Sequence, residues 1–192
     1  MDQVLEVRVH GRGGQGVVTA AELLSVAAFL DGHEAQAFPS FGSERMGAPV
    51  MAFCRIADAP IRLREPVTKP DVVIVIDATL LHHVDLFAGL SPDGFVLINS
   101  TRTLTELGLT DLVDRHRPGR VAAIDATEIA YTHLGRRLPN VCLLGAFAAL
   151  TGAVTPESID AAVRERFAGK VAEANVRAAH DAFARLEQVT HA

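Results

Sequence analysis

The sequence predicts an α/β fold built on an open, mostly parallel sheet. Three observations carry this. Short apolar runs alternate with stretches of helical spacing through about residue 138. A glycine-rich segment joins the first run to the first helical stretch. Val72 to Ile76 is an unbroken β-branched run, which suits a strand covered on both faces.

The elements follow in order. Val4 to Val9 alternates apolar and polar and reads as a strand. Val17 to Leu30 places Val17, Ala20, Ala21, Leu24 and Ala28 at helical spacing and stops at Asp31-Gly32. Ala35 to Phe38 and Val50 to Ile56 are two further strands, and Ile61 to Arg64 is expected as an extra edge pairing. After the Val72 strand, Leu80 to Leu90 reads as a helix, Phe95 to Ile98 as a strand and Thr105 to His116 as a helix. Val121 to Ile124 closes the sheet, and Ala126 to Leu134 is a helix.

Beyond Pro139 the pattern turns helical. Val141 to Leu150 is apolar on every side and reads as a buried helix. Thr155-Pro156-Glu157-Ser158 is a helix start: Thr155 is the cap and Pro156 the first turn. Ser158 holds the capping-box position without its usual acid. That helix should reach Phe167; Gly169 breaks it, and Lys170 to Gln188 forms the last one. Ala178, Ala182, Phe183 and Leu186 make a core stripe on it. The expectation is one domain over 1–192, a Rossmann-like sheet with helices on both faces (about 1–138) and a helical C-terminal part (about 139–188).

Composition excludes several classes. With 49% hydrophobic and 21% charged residues the chain is globular. A net charge of -5 without a basic block argues against nucleic acid. No apolar stretch reaches the roughly 18 residues of a membrane span, and the N-terminus lacks the features of a signal peptide. The expected location is the cytoplasm. Cys54 and Cys142 belong to no Cys-x-x-Cys and read as buried free thiols; two thiolates cannot complete a four-Cys iron–sulfur site.

Two segments carry the functional signal. Gly11, Gly13 and Gly16 satisfy Gly-x-Gly-x-x-Gly between a strand and a helix, a context that favours an anion at the helix N-terminus. The same glycines also serve simple packing of strand on helix. A dinucleotide site wants an acid at the end of the second strand. Here Asp31 and Glu34 precede that strand, and its end is Phe38-Pro39-Ser40. The second segment, Phe38 to Pro49, holds Ser40, Phe41, Ser43, Glu44 and Arg45 between strands. Its serines and Arg45 suit a carboxylate or phosphate, its phenylalanines an interface; a solvated surface loop is the plain alternative.

Other residues weigh less. Asp77 ends a strand and more simply caps the next turn than serves catalysis. Asn99 and Ser100 end another strand and can face a ligand crevice. His82 and His83 are adjacent, so they share no helix face and read as solvated. His10 precedes the glycine loop and is the histidine of most interest. Asn140 and Asn175 are explained equally by local backbone hydrogen bonds. No residue stands out as acid, base or nucleophile.

His10 to Val18 resembles the start of the gamma subunits of pyruvate/2-ketoisovalerate ferredoxin oxidoreductases. Gln36 to Val50 resembles that family's second signature, and Lys69 to Val75 and Asp93 to Asn99 resemble its central strands. Pro139-Asn140-Val141, Leu144 to Phe147, Lys170 and Asn175 are similar to its helical part. Met46 stands where the family more often has a basic or small residue, a departure that would mark a substrate subgroup.

The resemblance implies a thiamine-diphosphate-dependent complex that converts a 2-oxoacid and coenzyme A to acyl-CoA and CO2. Thiamine diphosphate and Mg would sit on alpha and beta chains and [4Fe-4S] clusters on a delta or beta chain, with none held by this chain alone. Ferredoxin or an NAD-linked flavoprotein would take the electrons. Gly11, Gly13, Gly14, Gln15, Gly16, Ser40, Ser43, Glu44, Arg45 and Asn99 would line the interface or approach coenzyme A. The alternatives are a stand-alone NAD-binding module, on the strength of the glycine loop, and the beta subunit of an indolepyruvate oxidoreductase.

Overall fold

β1 (Leu5–Arg12), β4 (Val72–Val75), β5 (Phe95–Asn99) and β6 (Val121–Ile124) pair in parallel, in that order across the sheet. The computed structural model describes residues 4–40, 46–63 and 65–190. On the other side of β1 lies β3 (Pro49–Ala57), antiparallel to it, and outside that lies β2 (Glu34–Pro39), antiparallel to β3. The six-stranded order is therefore β2-β3-β1-β4-β5-β6. β3 separates β2 from β1, so the first crossover skips one strand position.

The two faces of the sheet are covered differently. One face carries Val7, Val9, Ala52, Cys54, Val72, Ile74 and Leu97, and helices pack on it. These are α1 (Val17–Leu30), α3 (Ala126–Leu134), α4 (Asn140–Thr151), α5 (Pro156–Arg166) and α6 (Gly169–Thr190). The opposite face holds Val73, Val75, Val96 and Ile98 under Leu80, Leu86, Leu112 and neighbouring turns. Its only regular α-helix among the described residues is α2 (Thr110–Arg115).

On that thin face the strands turn polar toward β2. Glu6, Arg8 and His10 alternate along β1, opposite Arg55, Phe53 and Met51 of β3. Arg8 donates to the carbonyls of Leu86 (2.9 Å) and Ala88 (2.8 Å). Arg55, 2% exposed, pairs with Glu6 at 2.7 Å and donates to the carbonyls of Leu63 and Glu65. These contacts explain two departures from expectation. Leu80 to Leu90 is not a helix but a 3-10 turn at Ala78–His82 followed by irregular turns, because the Leu86 and Ala88 carbonyls point inward to Arg8 rather than along a helix. Ile61 to Leu63 form no strand; the Leu63 carbonyl is turned to Arg55, and Arg64 lies outside the described residues. The helix expected over Thr105 to His116 is confined to α2, since Gly108 sits at φ 75°, a left-handed turn that ends the preceding coil.

The remaining elements lie close to expectation. α4 is buried around almost its whole circumference, and Ala178, Ala182 and Leu186 of α6 are core residues. Both cysteines are free and buried, and burial pushes each thiol up to about 12. His82 and His83 are exposed. No helix among the described residues is long and apolar enough to cross a membrane.

The start of α5 shows what replaced the missing capping acid. Thr155 Oγ1 accepts from the Ser158 amide. Asp31, at the end of α1, accepts from the Thr155 amide (2.7 Å), Thr155 Oγ1 (2.7 Å) and Ser158 Oγ (2.9 Å). A carboxylate from another helix thus completes the box. Burial pulls the Asp31 carboxyl upward, but the Thr155 and Ser158 hydrogen bonds outweigh it and hold it below the usual carboxylate range.

Two expected outcomes follow. Asp31→Asn should lower stability at neutral pH by about 1 kcal/mol, since the site is partly exposed. Because the folded pKa is depressed, the wild type's advantage is full above about pH 4, the unfolded value. It should vanish as pH falls through the lower folded value; denaturant titrations of both proteins across pH measure it. Gly145→Ala would place a methyl 2.0 Å from the Ala179 carbonyl oxygen, on rigid helix backbone. A loss of about 3 kcal/mol, seen as a melting temperature lower by roughly 10 °C, is expected.

Candidate functional site

β1 and β4 are neighbours whose chains leave in opposite directions, so the sheet's switch point lies between them. At their carboxyl ends opens a crevice of about 330 Å³. Gln15 follows β1, Ile76 to Thr79 follow β4, and Asn99 to Thr101 follow β5; Thr127, Arg137 and Pro139 complete the lining.

The glycine loop forms one wall, and it is closed on itself. The Arg12 amide donates to Gln15 Oε1 at 2.7 Å, and the Gln15 amide donates to the Arg12 carbonyl. The Gly13 amide donates to the Ala48 carbonyl at 2.9 Å. Three of the amides expected to cradle an anion are therefore engaged within the protein. Gly11 is a packing glycine, since a Cβ there would lie 2.6 Å from Val17 Cγ2. Gly16 sits at φ 75° and caps α1, with Asn140 packed so close that a Cβ would meet its Nδ2 at 2.4 Å.

Asp77 organises the floor. Its carboxylate accepts from the Thr79 amide and hydroxyl and from Gln15 Nε2 at 2.8 Å, and pairs with Arg12 Nε at 3.2 Å. Burial pushes this carboxyl upward, but the bonds from Thr79 and Gln15, and then Arg12, hold it below its ordinary value. Asp77 thus caps the turn, as expected, and is also the ion that fixes the loop. It is fully engaged as an acceptor and in no position to act as an acid.

The two signature segments meet. Gly13 bridges to Met46, the Gly47 amide donates to the Gly13 carbonyl, and Arg12 Nη1 donates to the Gly47 carbonyl at 3.0 Å. Met46 is 86% exposed with its methyl against Gly14. Ser40 lies at the end of β2, two strand positions from β1, its amide donating to the Met51 carbonyl. Phe38 is held within the protein, 5.2 Å from Phe53 and beneath Arg55. Phe41, Ser43, Glu44 and Arg45 lie outside the described residues.

Asn99 lines the crevice, but its amide is engaged: Nδ2 donates to the Ile76 carbonyl and Thr127 Oγ1, and Oδ1 accepts from the Thr127 amide. His10 is away from the crevice, buried on the thin face, where Nε2 accepts from Arg8 Nε. Burial and then the Arg8 charge push it down to about 3, so it is neutral. Asn140 does not bond locally: its Nδ2 approaches the Gly16 carbonyl at 3.4 Å, joining the starts of α4 and α1. Asn175 does bond locally, to the Val171 carbonyl.

Thr79, Thr101, Thr127 and Arg137 are crevice residues that the sequence did not single out, and Pro139 was named there only as the start of the helical part. Only Arg136-Arg137 before Pro139, at the junction of sheet and helical parts, hinted at them. α1 and α4 both begin here without a side-chain cap or an acid in the first turn. α3 also begins at the crevice, through Thr127, but carries a cap from Asp125 and the acid Glu128 in its first turn; α5, which begins elsewhere, has the cap Thr155 and the acid Glu157. The crevice therefore combines the uncapped starts of α1 and α4, the capped start of α3, hydroxyl groups and Arg137, whose guanidinium lies over the Tyr131 ring; the set is suited to an anionic group.

Comparison with known proteins places this geometry in a family. The family described as pyruvate ferredoxin/flavodoxin oxidoreductase matches residues 6–185. The pyruvate/ketoisovalerate oxidoreductases common subunit gamma of Pyrococcus abyssi is 46% identical over 184 residues, 96% of this chain and 98% of that one. The crystal structure of pyruvate oxidoreductase subunit PORC from Thermotoga maritima is similar with a TM-score of 0.80 at 36% identity, covering 95% of this chain and 96% of that one. The 2-oxoglutarate:ferredoxin oxidoreductase of Magnetococcus marinus, with 2-oxoglutarate, coenzyme A and succinyl-CoA bound, shares the fold at a TM-score of 0.73 and 19% identity, over 98% of this chain and 32% of that one. Matched along nearly its whole length, the chain belongs to the pyruvate ferredoxin/flavodoxin oxidoreductase family, as a gamma-type subunit of a pyruvate/2-oxoacid:ferredoxin oxidoreductase.

Proposed function

We propose that this chain serves, as one domain and in the cytoplasm, a complex that oxidatively decarboxylates a 2-oxoacid. The 2-oxoacid and coenzyme A give acyl-CoA and CO2, and two electrons pass to ferredoxin or an NAD-linked flavoprotein. Thiamine diphosphate supplies the decarboxylation chemistry and [4Fe-4S] clusters carry the electrons. Both belong on alpha, beta and delta-type partner chains. Among the described residues no three His, Cys, Asp or Glu side chains converge, and both thiols are buried, so nothing here fits a cluster.

The observation that carries this chain's role is the crevice at the switch point. It offers Arg137, hydroxyls and two uncapped helix starts, but no group free to act as acid or base. That is a surface for holding an anionic co-substrate, and coenzyme A is rich in phosphate. The clamped glycine loop and residues 46 to 48 form its rim and present Met46 outward toward a partner chain.

The NAD-module alternative fares worse. β3 lies where the ribose-binding strand would pair with β1, and Asp31 is engaged by Thr155 and Ser158. The relatives' names also favour the gamma-type reading over an indolepyruvate beta subunit.

The test is anaerobic affinity purification of the tagged chain from its own host. Larger chains should co-purify with an absorption band at roughly 400 nm from iron–sulfur clusters, and a 2-oxoacid with coenzyme A should reduce ferredoxin. A chain that elutes alone, colourless, and binds NADH would sink the proposal. Within the active complex, Arg137→Ala should raise the KM for coenzyme A about tenfold and leave kcat nearly unchanged, as loss of one ground-state anion contact does. An unchanged KM would remove Arg137 from the site.

A further inference from the structure

α3 carries Thr127 into the crevice and Tyr131 along the same helix face, one turn further out. The two residues are four apart, so about 6 Å separates them along the axis. Helical side chains lean toward the N-terminus of their helix, and for Tyr131 that is the direction of the crevice. α3 ends at Gly135, in the left-handed region at φ 65°. The chain reverses there and comes back to the crevice at Pro139. On this return Arg137, itself a lining residue, lays its guanidinium 5.4 Å from the centre of the Tyr131 ring.

Folding leaves both groups largely free. Tyr131 is 50% exposed. Among the described residues its hydroxyl has no hydrogen-bond partner, and no carboxylate or carbonyl takes the Arg137 guanidinium. Leu138, next in the chain, is 38% exposed and extends the apolar surface. A nucleobase stacks on aromatic rings and on guanidinium planes, whatever its sequence context. A guanidinium can also meet a phosphate with its N–H edge while its face stays stacked. The spacing from Tyr131 to Thr127 is one that a nucleotide spans between base and phosphate.

We propose that Tyr131 and Arg137 form a base-stacking platform at the mouth of the crevice, which takes the adenine of coenzyme A while the crevice holds its phosphate. This rests on the reading of the crevice as a coenzyme A surface and adds which end of the molecule it recognises. The nucleotide end is held here, and the thiol end is left free to reach a partner chain.

Tyr131 is the only tyrosine and there is no tryptophan, so the intrinsic emission of the full chain reports on this ring alone. Coenzyme A and adenosine 3′,5′-bisphosphate should quench that emission saturably. Phosphopantetheine, which has a phosphate but no base, should not. Arg137→Ala should weaken the quenching. In the purified complex Tyr131→Leu should raise the KM for coenzyme A about tenfold, the size of one lost base–aromatic stack. Tyr131→Phe, which keeps the ring, should retain the wild-type KM. Emission unmoved by the two adenine compounds at millimolar concentration overturns the proposal, as does equal quenching by phosphopantetheine or tighter quenching by NAD. A wild-type complex that turns over with coenzyme A while Tyr131→Leu keeps its KM sinks this inference and spares the proposed function. A complex indifferent to coenzyme A sinks both.

Discussion

One face of the sheet depends on two buried guanidinium groups. A sheet needs cover on both faces, and the chain spends nearly all of its helix on one. On the other, near β1 and β3, Arg8 and Arg55 reach out from the strands and take the carbonyls of Leu86, Ala88, Leu63 and Glu65. Burying a cation is costly unless its donors are satisfied. Here the satisfaction is mutual: irregular backbone, which would itself be costly to bury without partners, supplies the acceptors. Glu6 balances Arg55 at 2.7 Å, and the His10 ring stays neutral to accept from Arg8. The arginines thus allow turns to cover a sheet where helices would ordinarily be needed.

The same economy governs the crevice. A glycine loop before a helix is usually read as an anion cradle. In this chain Gln15 occupies the loop with its own amide, satisfying the Arg12 N–H on one side and Asp77 on the other. Arg12 and Asp77 then cancel in charge at 3.2 Å. The loop becomes a rigid edge to which residues 46 to 48 are stitched. The groups that favour an anion stand beside the loop, Arg137 and the uncapped starts of α1 and α4, with the Asp125-capped start of α3 opposing them. Gly11 and Gly16 are positions where packing leaves no room for a side chain, and the loop amides at Arg12, Gly13 and Gln15 are satisfied by the protein itself.

How much was legible follows from where each interaction lies along the chain. Strand and helix runs with their own periodicity, such as Val17 to Leu30, Val121 to Ile124 and Ala126 to Leu134, carry their information locally, and the structure has them at those bounds. Leu80 to Leu90 failed because Arg8, far away in sequence, competes for its carbonyls, and no local pattern records that. The antiparallel entry of β3 between β1 and β2 was hidden for the same reason: strand order is a property of pairing, not of composition. In the site, Asp77 was placed by its strand end. Thr127 and Arg137 were missed because they reach the crevice from more than a hundred residues beyond the loop they face.

The link between Asp31 and Thr155 shows how a local absence can still be informative. Ser158 at the capping-box position left the Thr155 amide without its expected acceptor. A helix start otherwise well formed, with Thr155 and Pro156 in place, still needs an acceptor for that amide. Asp31 is that acceptor, and it stands at the end of α1, the helix that begins at Gly16. α1 is therefore pinned at both ends by the helical C-terminal part: by Asn140 of α4 against Gly16, and by Thr155 and Ser158 of α5 on Asp31. Because Gly16 also ends the loop that clamps residues 46 to 48, the helical part holds the rim of the crevice in place without lining most of it. Contacts outside the crevice lining thus set the shape of its rim.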